Sequence, residues 1–486
     1  MTEPRISRRF LLAGGLGFAL ARPGLAQEAA GLLASQRPAI APAPDPEALV
    51  QAARLGGVVS FQAMDAASGR IVAQRAPDLP LPPASTLKVL TALYALDRLG
   101  PDYRFRTRIL RRGDDLILAG GGDPVLDTDQ LAELAKRTAA AQPQGVTRLL
   151  VWGGALPARA VISAEQEDAL AYNPAISGLN LNFNRVHLSW RCASDCQLSF
   201  EARARRHSPR AYTVRGQMVA GGGRIRLNQQ PQGDMWQVPR NALDRQGARW
   251  LPVRTPELYA GDVFQTLCRA EGLALPAPEV TAEAQGDEIA VIDSPPLREI
   301  LAGMLDYSTN LTAEVVGLTA SGAGDLPASA RMMQDWAAGQ GVQGVICADH
   351  SGLSAQNQVT AAAMVQLLAG PGRGQDIAAL LKSGPVWPDA GDGWTGQMRA
   401  KTGTLNFVSN LVGYAGAGGA DGVIFAIFCA DQLRRAENEG RELPPGVISW
   451  TNRAKALQQD LIDGWSRETM RQDRNSERLP LPPDAG

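Results

Sequence analysis

Apolar residues along this chain follow two periods, and the boundaries between them divide it into segments. From Ser85 to Leu99 they fall at Leu87, Leu90, Ala92, Leu93 and Leu96, and Gly100-Pro101 stops the run. That spacing predicts a helix with Ser85 in its first turn. Helical spacing returns over Thr128 to Ala141, Glu257 to Glu271, Leu297 to Leu305, Leu311 to Ser321 and Thr360 to Leu368, where Thr360 can serve as the cap. A last amphipathic helix is predicted from Ser449 to Trp465. Strand-like runs cover Gly57 to Asp65 and Arg70 to Gln74, joined by the turn Ala66-Ala67-Ser68-Gly69. Further short strands alternate with glycine turns: Arg106 to Arg111, Asp115 to Ala119, Arg148 to Trp152, Leu179 to Trp190, Leu198 to Ala202 and Gly223 to Leu227. Near the end, Gln397 to Thr402, Phe407 to Ala415 and Gly422 to Ala430 read as three more, the last two joined by a turn at Gly416 to Gly419.

This order predicts an α/β (α+β) fold, an antiparallel sheet flanked by helices. Residues 27–100 and 286–466 are expected to form one discontinuous domain, split by β-rich inserted modules over 101–285. Residues 27–50 are rich in Ala and Pro and read as an N-terminal arm. Residues 467–486 are polar, contain Pro, and read as a disordered tail.

Bulk composition narrows the function. The chain has 486 residues, 45% of them apolar, enough for a large core. Its 48 basic and 49 acidic residues leave a net charge of −1, so no overall field favours nucleic acid or anionic lipid. The three histidines, His187, His207 and His350, show no metal-ligand spacing, and neither a metal nor a cofactor is expected. Arg5, Arg8 and Arg9, followed by an apolar stretch from Phe10 to Ala21 and then Gly24-Leu25-Ala26, read as an export signal cleaved after Ala26. Ser7-Arg8-Arg9-Phe10-Leu11 resembles a twin-arginine signal, although Phe10 follows the arginine pair directly; an ordinary Sec signal is the alternative. The absence of any later run of 18 apolar residues predicts a mature protein without a transmembrane segment, placed in the periplasm. There an oxidising environment would suit a local disulfide between Cys192 and Cys196, with Cys268, Cys347 and Cys429 as buried thiols.

Candidate chemistry lies in three stretches. Ser85-Thr86-Leu87-Lys88 opens a helix, Ser308-Thr309-Asn310 lies between two helices, and Lys401-Thr402-Gly403-Thr404 sits in a strand. Each alone is weak: Ser85 reads equally as a helix cap, Lys88 and Lys401 as solvated lysines, and Asn310 as a turn residue. In this order and context they form the signature of acyl-transferring serine enzymes acting on D-alanyl peptides or β-lactams. Gly120-Gly121-Gly122 lacks a following Lys-Ser/Thr and reads as a turn, not a phosphate loop.

Four further segments extend the match: Gly121-Gly122-Asp123-Pro124-Val125-Leu126, Leu179-Asn180-Leu181-Asn182, Ser294-Pro295-Pro296-Leu297, and Asp349-His350-Ser351-Gly352-Leu353-Ser354. With them, residues 50 to 465 resemble peptidase family S13, the class C low-molecular-weight penicillin-binding proteins. The resemblance implies a serine β-lactamase/D,D-peptidase-like domain and a D-alanyl-D-alanine carboxypeptidase, with endopeptidase action on peptidoglycan peptides also in range. It implies β-lactams as covalent inhibitors. It makes Ser85 the nucleophile and Lys88 its base, and lets Ser308 bridge toward the leaving amine. Asn310 would bond both Lys88 and the substrate. Lys401, Thr402 and Thr404 would bind the terminal carboxylate, and Gly403 would leave room for close approach. A β-lactamase and a non-catalytic cell-wall-binding protein are the competing readings. His350 stands where relatives carry Gly, Thr309 where Asp is common, and Ala355 where many carry Arg.

Overall fold

Val423–Ala430 is apolar throughout and buried at every position, the pattern of a strand covered on both faces. In the computed structural model, which describes residues 43–384, 397–416 and 422–476, it lies inside a six-stranded antiparallel sheet. That sheet is built from β1 (Val58–Asp65), β2 (Ile71–Arg75), β3 (Lys382–Ser383), β4 (Gln397–Leu405), β5 (Val408–Gly416) and β6 (Val423–Ala430). The spatial order is β3-β4-β5-β6-β1-β2. One face of β5 and β6 (Val412, Tyr414, Ile424 and Phe428) packs on a core built around α1 (Leu87–Leu99), α2 (Leu297–Tyr307), α3 (Asn310–Ser321), α4 (Leu326–Gly339) and α5 (Ala361–Ala369). The other face, with Leu411, Phe425 and Ile427, packs on Trp450, Leu457, Leu461 and Trp465 of α6 (Val447–Ser476).

Residues between α1 and α2 build a second core and three smaller sheets. The five-stranded sheet runs Pro278–Val280, Arg148–Trp152, Asp115–Ala119, Arg106–Arg112, Asp287–Asp293. The Arg185–Cys192 and Cys196–Glu201 hairpin carries a disulfide between Cys192 and Cys196; Cys268, Cys347 and Cys429 are free and buried. All described residues fall in one compact unit.

Several boundaries differ from the expectations. Pro46–Ala53, inside the expected arm, is helical because Asp45 caps it and Pro46 opens it. The last helix continues to Ser476 rather than giving way at residue 467, since Arg467 to Ser476 is rich in good helix formers and the buried Thr469 hydroxyl bonds the Trp465 carbonyl. Helix α4 and the strands Val214–Val219, Gly233–Pro239, Gln246–Pro252 and Asp287–Asp293 are additional to the expected elements; mixed polar strands of this kind are specified by partners, not by period. Leu179 to Asn184 is not strand: Asn182, Phe183 and Asn184 all have φ near +50° to +59°, and the strand starts at Arg185. The expected signal at 1–26, most of the turn after Gly416, and residues 477–486 lie outside the described residues.

Candidate active site

Ser85 sits in a 3-10 turn, Ala84–Thr86, that runs directly into α1. Lys88, three residues on, therefore projects from the same side. Its side chain is fully buried, and Nζ lies 2.8 Å from Ser85 Oγ, 2.8 Å from Asn310 Oδ1 and 2.8 Å from the Ser351 carbonyl. Burial, reinforced by the charge of Lys401, holds Lys88 well below the usual lysine range.

The Tyr307-Ser308-Thr309 break between α2 and α3 puts Ser308 in the left-handed region, φ 59°, uncommon for a serine. That conformation ends one helix and lets Asn310 begin the next. Ser308 Oγ accepts from Lys401 Nζ at 3.0 Å, and the same ammonium reaches the Thr402 carbonyl at 2.8 Å. Burial lowers Lys401 to about 7, against the opposing pull of Asp306. Gly403 explains how strand and turn come so close: a Cβ there would lie 2.6 Å from the Pro83 carbonyl oxygen and 3.0 Å from the Thr86 nitrogen. Thr404 lies next along β4 and lines a cleft of about 760 Å³ together with Ser85, Ser308 and Asn310. The structure thus brings together Ser85, Lys88, Ser308, Asn310 and Lys401, with Thr402, Gly403 and Thr404 on the adjoining strand.

Four residues that the sequence reading gave no role also stand at the site. Asn410 on β5 donates to the Pro82 and Pro83 carbonyls at 2.8 and 2.9 Å and accepts from Cys429 N–H, pinning the segment ahead of Ser85 to the sheet. A polar Asn inside an apolar strand was the signal available for it. Glu314 and Asp349 are buried carboxylates beneath Lys88. Tyr172 belongs to the inserted region, yet its carbonyl accepts from Asn310 Nδ2 at 2.9 Å. The inserted region thus reaches the Asn310 side chain. The loop bearing Tyr172 is tied down by Arg254, whose guanidinium donates to the carbonyls of Ala160, Asp168 and Asn173.

The departures from the family pattern have visible settings. His350 is fully buried, bonds Ser329 Oγ at 2.7 Å, and is held neutral by burial, down to about 3. Its ring occupies the space a Cβ at Gly317 would need. Ala355 donates its N–H to Glu165 Oε2 at 3.1 Å. Among the described residues no group of acidic, His and Cys side chains could hold a metal, and no helix is long and apolar enough to cross a membrane.

Known proteins resemble this chain over most of its length. A sequence profile of the D-Ala-D-Ala carboxypeptidase 3 (S13) family matches residues 46–450. A D-alanyl-D-alanine carboxypeptidase of Actinomadura sp. (strain R39) is 29% identical over 469 residues, covering 83% of this chain and 86% of that one. A carboxypeptidase of Mycobacterium tuberculosis is 26% identical over 383 residues, covering 74% and 73%. The crystal structure of penicillin binding protein 4 from Haemophilus influenzae superposes with a TM-score of 0.68 at 19% identity, covering 86% of this chain and 99% of that one, which shows a shared fold.

Proposed function

The chain belongs to the D-Ala-D-Ala carboxypeptidase 3 (S13) family of serine peptidases, and from that premise we propose that Ser85 is its acylated nucleophile and Lys88 the base that activates it. One observation carries the assignment: the buried Lys88 Nζ lies 2.8 Å from Ser85 Oγ while its other contacts are uncharged oxygens. Such an amine, held below its usual pKa, can take the serine proton as Oγ attacks the carbonyl of the penultimate D-alanine. The C–N bond of the terminal residue then breaks, and Ser308, bonded to Lys401, relays a proton to the departing amine. Water releases the shortened peptide from Ser85. The backbone N–H groups of Ser85 and Thr404 serve as the oxyanion hole, one donor of which supplies about 3 kcal/mol in comparable enzymes. Lys401 with the hydroxyls of Thr402 and Thr404 captures the terminal carboxylate.

The natural substrates on this reading are peptidoglycan peptides ending in D-Ala-D-Ala, and penicillins acylate the same serine. Export to the periplasm through residues 1–26 belongs to the reading, as does the division into a catalytic body (27–100 and 286–466) and an inserted module (101–285). The test is intact-mass measurement after incubation with penicillin. The native chain gains one penicillin mass. Ser85→Ala gains none, releases no D-alanine, and keeps its fold, because Ser85 makes no capping bond in its turn. A folded Ser85→Ala protein that still gained the mass would overturn the assignment.

A further inference from the structure

The direction in which Lys88 presents its lone pair is set by two oxygens. A neutral amine has two N–H donors and one lone pair. Asn310 Oδ1 and the Ser351 carbonyl, each 2.8 Å away, can only accept. They take both N–H groups and leave the lone pair facing Ser85 Oγ. The base therefore depends on where the Ser351 carbonyl points, and two buried carboxylates fix that.

Glu314 lies one turn after Asn310 on α3, fully buried in a mostly apolar stretch. Its two oxygens accept from consecutive backbone N–H groups, His350 at 3.0 Å and Ser351 at 2.9 Å. Asp349 accepts from Gly352 N–H at 2.7 Å, from Ser354 N–H at 2.7 Å and from Asn357 Nδ2 at 2.9 Å. Ser351 is thus held on both sides, through its own N–H and through the N–H of the peptide group its carbonyl belongs to. The loop has nowhere to retreat: Gly352 has φ +81°, and a Cβ there would meet the Ala84 carbonyl oxygen at 1.8 Å, one residue before the nucleophile. A carboxylate this buried is costly, and surface helices offer Glu no such partners.

We propose that Glu314, working with Asp349, is a positioning residue for the reaction: it anchors the His350–Ser351 backbone so that the Ser351 carbonyl orients Lys88 toward Ser85. The inference rests on the reading of Lys88 as the base. The charged groups facing Lys88 are Lys401 on β4, Glu314 on α3 and Asp349 on the loop; both carboxylates favour its protonated form and Lys401 opposes it. Burial, with the neighbouring Asp349, raises Glu314, and the His350 and Ser351 N–H groups it accepts from and the charge of Lys88 oppose that shift. His350, neutral and turned toward Ser329, adds no charge.

The experiment measures the rate constant for acylation by penicillin against pH, in the full chain, for the wild type, Glu314→Gln and Asp349→Asn. A glutamine turns an NH2 toward one of the two backbone N–H groups, so the Ser351 carbonyl shifts. Acylation is expected to fall about 100-fold, the usual result of misplacing a reacting group by an ångström. Removal of a negative charge beside Lys88 also lowers its pKa, so the acid limb of the profile moves to lower pH. A purely structural role would lower the melting temperature and leave the limb in place. A folded Glu314→Gln protein with the wild-type rate, or with an unmoved limb, overturns the proposal. Should that variant not fold, Asp349→Asn carries the same two expectations, and failure of both to fold would make the pair a requirement of the fold alone and overturn the catalytic role. If instead the wild type itself takes up no penicillin, the reading of Ser85 and Lys88 fails, not this inference alone.

Discussion

Lys88 and Lys401 are two buried cations in one site, and their titrations should divide the pH profile between them. As the proposed base, Lys88 works only when neutral, and burial with the Lys401 charge moves that condition to lower pH. Acylation therefore rises with pH through the Lys88 pKa. As the proposed carboxylate anchor, Lys401 acts only when charged. It is held at about 7, so capture weakens as pH rises past that point, less so once a bound carboxylate favours the cation. The expected kcat/KM for D-Ala-D-Ala peptides is bell-shaped, with the alkaline limb owed to Lys401. An acyl donor lacking the terminal carboxylate should keep the acid limb and lose the alkaline one. Steady-state kinetics with matched acid and amide substrates checks this; identical alkaline limbs would remove Lys401 from carboxylate binding.

At the scale of elements, the site depends on how closely β4 approaches the Ser85 turn. Gly403 permits that approach and Asn410 fastens the other side of the turn to β5. Gly403→Ala should push the strand outward, because two of the three atoms a Cβ would meet, the Pro83 carbonyl oxygen and the Thr86 nitrogen, are backbone, which cannot swing aside. The expected cost is about 1–3 kcal/mol of stability, typical of overpacking. Penicillin labelling should fall about 100-fold, as the Thr404 N–H and the Lys401 ammonium move together away from Ser85. Urea melts and labelling rates measure the two effects separately, and an unchanged labelling rate would show that the register of β4 is not critical. The element pattern itself was partly legible. Gly422 to Ala430 read as a strand, and the Ser85 helix was readable from its period. The strands around Val214–Val219 and Gly233–Pro239 were not, since their pairing, parallel to each other, joins residues whose composition names no partner.

At the scale of the molecule, the inserted region reaches the cleft that holds Ser85 and Asn310. The Tyr172 carbonyl occupies the Asn310 donor that the proposed mechanism gives to substrate, and Glu165 bonds the Ala355 N–H across the cleft. On the proposed reading, peptide substrates displace the first contact. Replacing residues 165–170 with glycines should leave penicillin acylation of Ser85 within about tenfold, since none of the acylating groups is removed, while changing the relative rates on short and long peptides. Competition assays between such peptides provide the measurement; loss of penicillin acylation in a folded variant would place this loop in the chemistry itself.

The sequence by itself determined what local geometry fixes. Ser85 and Lys88 are three residues apart on one helix, so their meeting follows from helical spacing, and the Ser308 break and the Lys401 strand follow from patterns a few residues long. Tertiary structure decided everything that joins distant segments. Lys88 meets Asn310 across 222 residues and the Ser351 carbonyl across 263. Glu314 in the sequence is one more acidic residue on a helix. Only the packing of α3 against α1 and the 349–354 loop removes it from water, and only there does a carboxylate need, and find, two backbone N–H groups to hold.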